Sequence, residues 1–482
     1  MHFNQQNAYV LIENLCQDHK GCQKGDIFIA LKGQRHDGHQ YVSAALEKDA
    51  NLIVVEDIHL VPDSVNKDDL LEVREIKHHL SEFAGWFYDF PSQHLQIYAV
   101  TGTNGKSTIA HFIGQLLTKL GYKSGVLGTI GNGIYPKLYA SSLTTLDTVN
   151  LNKVLKDFVR TKVKSVAMEV SSHAIDQNRI KGINIEIAIF SNLDVDHLDY
   201  HQSMVDYFEV KARLFRMQNV QKCIINIDNE YGVKLYQDLL SLKTKQVLTF
   251  SIQNKKADCF IAIERYLQTG FEVSIYWKEV KITQMLLPIM GEYNLSNIAA
   301  AITALLANGY SLESVKHALP FIQNAKGRLE QLKFRNKALV VIDYAHTPDA
   351  LQKALQALQS QLKGRLYCVF GCGGERETSK RPLMAKVAQI HADFCIITED
   401  NSRTEPIDNI MADILRGFDK QFSKYIVIKD RKKAIEYVLT HTTADDIILL
   451  AGKGHETYLD KNNFKIHFDE REVVMNLWSK DA

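Results

Sequence analysis

The chain has 482 residues, 45% hydrophobic and 23% charged, a globular profile too long for one ordinary core, so two to four domains are expected. Lys plus Arg (57) almost cancels Asp plus Glu (56), for a formal net charge of +1. No global positive field exists to attract nucleic acid or an anionic membrane, and no apolar run reaches the roughly 18 residues of a membrane span.

The opening stretch MHFNQQNAYVLIENLCQDHK lacks the basic and apolar regions of a signal peptide. The seven cysteines are scattered, with no C-x-x-C pair, and are expected to be mostly buried, reduced thiols of a cytosolic protein rather than a disulfide set or a zinc site. The first predicted elements lie in GDIFIALKGQRHDGHQYVSAALEKDANLIVVED, where a strand, a polar loop, a helix and a second strand form a small α/β block ending near residue 95.

LQIYAV (95–100) reads as a buried strand, and TGTNGKST (101–108) follows at once. Ile109, Phe112, Ile113, Leu116, Leu117 and Leu120 then repeat at helical spacing before Gly121 supplies a stop. Strand, Gly-rich loop and helix in that order are the context of a phosphate-binding loop. Gly102 and Gly105 let backbone N–H groups approach phosphates, and the helix beginning near Lys106 turns its positive end to the same anion. Lys106 adds a mobile charge, and Ser107 or Thr108 can reach Mg²⁺. The alternative is a turn that merely joins strand to helix; the flanking elements favour nucleotide binding.

KSVAMEV, IEIAIFSNL and KCIINID are further buried strands. Strands alternating with helices predict a mostly parallel sheet, in a central block that runs to about residue 330. VAMEVSSHAIDQNRI ends one strand with Glu169; FSNLDVDHLDYHQSM ends another with Asn192, Asp194, Asp196, His197 and Asp199. Singly, each of these is a solvated carboxylate or a structural histidine. Together, on successive strand ends, they predict a metal and substrate site. YFEVKARLF sets Lys211 among apolar neighbours, which by composition alone reads as a snorkelling lysine.

The third block opens with KALVVIDYAHTPDALQKALQALQSQL, a strand, a turn and a helix with Leu351, Leu355, Leu358 and Leu362 on one side. RLYCVFGCGG, ADFCIIT, YIVIK and DDIILLAGKGHE supply more strands, several ending in Gly or acidic residues. In open α/β sheets, ligands sit at such carboxyl ends.

TGTNGKST, MEVSSHAIDQNRI, SNLDVDHLDYH, YFEVKARLF, GEYNLSNIAAA, GRLE, VVIDYAHTPDAL and AGKGHE, in that order across residues 101–456, resemble the Mur ligases, ATP-dependent amide-forming enzymes of peptidoglycan synthesis. The resemblance implies an α/β fold in three domains: a small N-terminal UDP-sugar-binding domain (1–95), a central P-loop ATPase domain with a mostly parallel sheet (96–330) and a Rossmann-like amino-acid-binding domain (331–482). Within the family the chain looks most like the branch that adds meso-2,6-diaminopimelate to UDP-N-acetylmuramoyl-L-alanyl-D-glutamate through an acyl phosphate. The partners so implied are small molecules, for a cytoplasmic monomer.

The resemblance also implies site residues. Gly102, Thr103, Asn104, Gly105, Lys106, Ser107 and Thr108 would bind ATP, with Asn297 on adenine, Arg328 on the phosphates and Asp343 on the ribose. Thr144 and Thr145 in LTTLDT, with Ser171, Gln177 and Arg179, would hold the UDP-sugar dipeptide. Ser107, Glu169, His197 and Lys211 would hold Mg²⁺, Lys211 after reacting with CO₂ to form a carbamate. Lys106, Lys211, His197 and Arg328 would form the catalytic set. Apart from the resemblance, the acceptor amine must lose a proton, for which His346 is a candidate, a structural role being the alternative.

Arg376, Asp400, Asn401, Arg403, Gly452 and Glu456 match the family's diaminopimelate site. The far end of diaminopimelate is a zwitterion, which calls for an arginine on its carboxylate and oxygens on its ammonium. A lysine substrate would leave Arg403 without a partner; the plain alternative is a surface ion-pair cluster of Arg376, Asp400 and Arg403. The remaining alternatives are a lysine-adding ligase, a folylpolyglutamate synthetase-like ligase, and a nucleotide switch without synthesis, which leaves Lys211 unexplained. Two positions depart from the family pattern. Ser402 stands where a proline is usual, removing a φ lock, and Asp18-His19-Lys20 stands in place of Asp-Ser-Arg.

Overall fold

The computed structural model describes residues 2–5, 8–12, 14–33, 37–141, 143–196 and 200–478. Two compact units divide the chain: Met1–Lys106 with Gly121–Ile225 and Asn229–Leu248, and Ser107–Leu120 with Asn226–Asp228 and Thr249–Ala482.

In the first unit the strands Leu15–Cys16, Ile27–Ala30, Leu52–Val55 and Leu70–Glu72 pair in chain order, all parallel. The IFIA strand is buried on both sides, and its alternation sorts it between two cores. Phe28 and Ala30 pack with Val42, Ala45 and Ile53. Ile27 and Ile29 pack with Val54 and with Leu80 and Ala84 of the helix Ile76–Phe87.

A second sheet of this unit is centred on the strand Gln96–Thr101, which lies between Ser165–Glu169 and Ile185–Phe190 in parallel register. Ser124–Gly128 and Val220–Asn226 extend it on either side, also parallel. Ile97, Ala99, Val166, Met168, Ala188 and Phe190 share a core with Leu151 and Leu155 of the helix Thr148–Arg160. All four expected strands are present. Three carboxyl ends therefore stand side by side, at Thr101, Glu169 and Phe190, where open α/β sheets carry ligands. The helix Lys106–Lys119, counted from Ser107 on with the second unit, follows the loop in the chain, with Ile109, Phe112, Ile113, Leu116 and Leu117 buried. Leu120 is only half-buried, and Gly121 takes φ 84° as the stop.

The second unit contains an antiparallel meander, Cys259–Leu267, Gly270–Trp277 and Val280–Leu287, that the sequence pattern did not announce. A six-stranded sheet of this unit runs in the order Glu330–Leu332, Leu339–Asp343, Ile447–Ala451, Leu366–Phe370, Phe394–Ile397, Tyr425–Val427, parallel except for the first strand. Leu339 and Val341 face Leu351, Leu355 and Leu358 of the helix Pro348–Gln359; Val340 and Ile342 face Ala434, Ile435 and Val438. Helices on both faces explain why these strands read as unbroken apolar runs. Leu362 is half-buried rather than part of the buried stripe. The α/β class with mostly parallel sheets holds.

No helix among the described residues is long and apolar enough to cross a membrane. All seven cysteines are buried and none forms a disulfide. Cys16, Cys22 and Asp26, too widely spaced for a sequence motif, bring their sulfur and carboxylate atoms within 4.8 Å of one another.

Candidate active site

The phosphate loop needs its glycines. Gly102 has φ 144° and Gly105 φ 85°, and a Cβ on Gly102 would lie 2.0 Å from Ser191 Oγ. The loop is fastened to the end of the neighbouring strand. The N–H groups of Thr103 and Asn104 donate to Asn192 O (2.9 Å) and Asn192 Oδ1 (2.8 Å), and Asn104 Nδ2 donates to Asp194 Oδ2 (3.1 Å). Asn192 and Asp194, expected as metal or substrate groups, thus brace the loop. His197 and Asp199 lie outside the described residues. Asp196 is described and acts on Lys211 as a nearby negative charge.

Lys106 folds back on the carbonyls of Gly102 (2.9 Å) and Thr103 (2.8 Å). Lys211, on the helix Met204–Arg216, donates to the same Gly102 carbonyl at 3.1 Å and is only 1% exposed. It does not snorkel: its tip is inside, 4.5 Å from the Tyr207 ring centroid. Burial, with the Lys106 charge adding to it, holds the Lys211 amine well below the usual lysine range. Ser107 and Thr108 lie in the first turn of the helix Lys106–Lys119.

Glu169 is buried and accepts from Thr129 N (2.7 Å) and Thr129 Oγ1 (3.3 Å). Its carboxylate lies so close to Gly128 that a Cβ there would be 2.1 Å from Glu169 Oε1. The Glu169 carbonyl accepts from Thr145 Oγ1 (2.9 Å), which in turn accepts from Ser171 N (3.0 Å). Arg179 grips Gln177 Oε1 with Nε (3.0 Å) and Nη2 (2.6 Å), and donates through Nη1 to Thr145 O (3.0 Å). Thr144 Oγ1 joins through Thr129 Oγ1 at 3.2 Å. All five residues expected to hold the UDP-sugar dipeptide therefore belong to one hydrogen-bonded network around Glu169. Gln177 and Arg179 open onto a cleft of about 600 Å³ that Asp18, His19, Lys20 and Tyr41 also line. His19, in the place of the usual serine, stacks on Tyr41 with centroids 4.2 Å apart.

In the second unit Asp343, Arg376, Asp400, Asn401, Arg403, Gly452 and Glu456 end or follow parallel strands, whereas Asn297 lies on the helix Glu292–Ala307 and Arg328 precedes the antiparallel strand Glu330–Leu332. Asp343 ends one strand, accepting from the N–H groups of Leu329 (2.8 Å) and Ala345 (2.9 Å). Burial pushes its pKa up, against the pull of Arg328. The Arg328 guanidinium lies over the Tyr344 ring at 5.5 Å. The GRLE and AGKGHE turns pack so tightly that a Cβ on Gly327 would be 2.3 Å from His455 N. Asn297 is buried and donates to Asn294 Oδ1 at 2.9 Å. His346 is exposed and points Nδ1 at Tyr344 O (2.8 Å), which fixes the proton on Nδ1 and leaves Nε2 as the basic end.

Asp400, Asn401 and Arg403 follow the strand Phe394–Ile397, and Gly452 and Glu456 follow Ile447–Ala451. A Cβ on Gly452 would sit 2.6 Å from Asp400 Oδ2. Arg403 and Arg376 flank Gly373, with Arg403 Nη1 bound to the Gly374 carbonyl. Arg376 itself is exposed. The surface-cluster alternative fits poorly, because Asp400 (7% exposed) and Asn401 (8%) are buried.

Two residues of this region escaped the sequence reading. Lys453, fully buried, bonds Asn401 Oδ1 and Glu456 Oε2, both at 2.8 Å. Arg381, also buried, clamps Glu405 and Asp413 and reaches the Gly373 carbonyl (3.3 Å). Neither carries a sequence signal, since nothing in AGKGHE or SKRPL distinguishes a buried cation from a solvated one.

Residues 100–305 match the description "Mur ligase middle domain", residues 327–454 "Mur ligase, glutamate ligase domain" and residues 12–88 "Mur ligase family, catalytic domain". A UDP-N-acetylmuramoyl-L-alanyl-D-glutamate–2,6-diaminopimelate ligase from Haemophilus influenzae (strain PittGG) is 37% identical over 477 residues, covering 96% of each chain. The protein of that name from Pseudomonas aeruginosa is 38% identical over 470 residues, covering 98% of this chain and 96% of its own. A solved structure of a ligase of the same name matches with a TM-score of 0.73 at 33% identity, covering 98% of this chain and 96% of that one.

Proposed function

Because this chain belongs to the Mur ligase family, we propose that it is an ATP-dependent ligase joining meso-2,6-diaminopimelate to UDP-N-acetylmuramoyl-L-alanyl-D-glutamate in peptidoglycan precursor synthesis. The observation that carries the amino-acid assignment is the cluster at the carboxyl ends of the second unit. Arg403 and Arg376 flank one loop, beside the oxygens of Asp400, Asn401 and Glu456. Such a set suits a zwitterion. A lysine side chain would use only the oxygens.

A carboxylate is a poor electrophile because its leaving group would be oxide. Transfer of the γ-phosphoryl group of ATP turns it into an acyl phosphate. The amine of diaminopimelate then attacks the acyl carbon, and the tetrahedral adduct collapses to amide and phosphate. Positioning and charge neutralisation are what such a transfer requires of the protein. Lys106 and Arg328 are the cations for that task, Asn297 and Asp343 hold adenine and ribose, and Nε2 of His346 takes the proton of the amine. Thr144, Thr145, Ser171, Gln177 and Arg179 bind the UDP-sugar dipeptide.

Ser107, Glu169, His197 and a carbamylated Lys211 would hold Mg²⁺, which supplies neutralisation of phosphate charge. The described donors suit a hard cation. Glu169 is a buried carboxylate, and the depressed pKa of Lys211 favours the neutral amine that reacts with CO₂. That amine adds to the carbon of CO₂ and loses one proton, leaving an anionic oxygen ligand in place of a neutral amine. We take the enzyme to act in the cytoplasm and as a monomer.

The test is phosphate release from ATP with the UDP-sugar dipeptide present, on adding diaminopimelate or L-lysine. Release with diaminopimelate and little with lysine is expected. Release without any amino acid, or a preference for lysine, overturns the assignment.

A further inference from the structure

Lys453 has no assigned part in the reaction, yet three of the residues assigned to diaminopimelate converge on it. It follows the strand Ile447–Ala451 and has no exposed surface. Its ammonium donates to Asn401 Oδ1 and Glu456 Oε2 at 2.8 Å each, stands 3.7 Å from Asp400 Oδ1 and lies 5.1 Å from the Tyr458 ring centroid. Asn401 Oδ1 also accepts from Asp460 N (2.9 Å), so the amide is turned with Nδ2 towards Glu456 Oε2 (3.0 Å). One oxygen of each carboxylate, Asp400 Oδ1 and Glu456 Oε2, is thus turned to the lysine. The opposite oxygens, Asp400 Oδ2 and Glu456 Oε1, are left for an incoming group.

The charges count the same way. Asp400 and Glu456 bring two negative charges into a largely desolvated site, whereas the far end of diaminopimelate offers one ammonium. Of the buried cations nearby, Arg431 is bonded to Glu470 (2.8 Å) and to two carbonyls, with Asp400 only a charge neighbour, and Arg381 is bonded to Glu405 and Asp413. Lys461 pairs with Glu399 at 2.6 Å. Lys453 alone among the described residues lies against both Asp400 and Glu456. Removing one partner of a buried ionic set leaves the remaining charge uncompensated, which is the costly change.

We infer that Lys453 is a positioning residue of the amino-acid site: it neutralises one of the two carboxylates, fixes the Asn401 amide, and so leaves a single net negative charge shaped for the distal ammonium of the substrate. This rests on the diaminopimelate reading of the site. Because L-lysine has the same distal ammonium, Lys453 serves both amino acids, whereas Arg403 serves only the one with a distal carboxylate.

The experiment compares Lys453→Met, Glu456→Gln, the double variant and Arg403→Ala in steady-state kinetics, with thermal unfolding to confirm folding. Lys453→Met should raise KM for diaminopimelate by roughly 10- to 100-fold and weaken L-lysine use in proportion. KM for ATP and for the UDP-sugar dipeptide should be unchanged. The double variant removes one charge of each sign, so its KM for diaminopimelate should be no worse than that of Glu456→Gln alone. A folded Lys453→Met with unchanged KM for diaminopimelate overturns the inference. So does a double variant far worse than Glu456→Gln, and so does failure of both lysine variants to fold, which would make the residue purely structural. Wild-type protein that turns over with neither amino acid refutes the substrate reading instead, which keeps the two failures apart.

Discussion

Replacing Lys211 by methionine should stabilise the resting protein while ending synthesis. The lysine is buried with its Nζ on the Gly102 carbonyl, and burial with Lys106 beside it holds its pKa well below 10.5. Between the folded-state pKa and 10.5, the unfolded chain holds a proton on this group that the folded chain has shed. Unfolding in that window takes up a proton, so stability rises with pH, by about 1.4 kcal/mol per pH unit from this group. Methionine has similar length and no proton to shed. Little is lost in exchange, because the Gly102 carbonyl keeps its bond from Lys106 at 2.9 Å. The net gain near neutral pH should be about 1–4 kcal/mol, as when buried ionic groups give way to apolar ones of similar volume, and it should shrink as pH rises. The assay is denaturant unfolding of both proteins in magnesium-free, CO₂-depleted buffer at several pH values from neutral upward. Added bicarbonate should then stabilise wild type alone, by binding the folded state. A methionine variant less stable than wild type, with the same pH slope, would refute the burial argument. One that still made product would refute the carbamate.

Arg403→Ala should lower kcat/KM for diaminopimelate by roughly 30- to 1,000-fold, the loss of a desolvated charge-assisted contact, and lower L-lysine use far less; equal losses for both amino acids would remove the distal-carboxylate contact. Gly102→Ala should abolish ATP binding, measured calorimetrically, because its Cβ would meet Ser191 Oγ at 2.0 Å and the Asn192 backbone at about 3 Å in a φ region closed to alanine. Thr145→Val keeps the shape but removes the hydroxyl that donates to the Glu169 carbonyl and accepts from the Ser171 N–H, at about 1–3 kcal/mol. Weaker UDP-sugar dipeptide binding together with a lower Tm is expected, and unchanged affinity would place the network outside that site.

Strands such as VVID and IILLA were legible because each is buried on both faces and so appears as a continuous apolar run. The meander Cys259–Leu267, Gly270–Trp277, Val280–Leu287 was not, because one face of it is open. Val280, Lys281, Gln284 and Leu286 do not alternate cleanly, and the ladder shifts register after Ile275. Strand-end motifs were legible for the complementary reason: a glycine such as Gly102 is dictated by its own backbone and by atoms one strand away. Interior cations were not legible. Lys211 and Lys453 sit in different contexts, YFEVKARLF and AGKGHE, and neither context states whether the side chain points inward. That depends on oxygens contributed from distant segments: Gly102 lies 109 positions before Lys211, and Asn401 lies 52 before Lys453.

Ser402 takes a φ lock away from the Asp400–Arg403 loop and so puts the loop's rigidity in question. Arg403 in fact occupies the left-handed region at φ 51°, a conformation that costs a non-glycine residue about 1–2 kcal/mol and persists only where the surroundings impose it. They do so from both sides. Arg403 N donates to Asp460 O (2.9 Å), Asn462 N donates to Arg403 O (2.7 Å), and Gly374 N donates to Asn401 O (2.9 Å). Beyond the loop, Glu405 is held by Arg381 at 2.7 Å and by Glu375 N at 2.9 Å. A φ lock acts on one residue through the unfolded chain. Here the same restraint comes from hydrogen bonds to the segments that follow the strands Leu366–Phe370 and Ile447–Ala451, which also carry Arg376 and Glu456. The arginine and the acidic oxygens are therefore held by one framework, whatever residue stands at position 402.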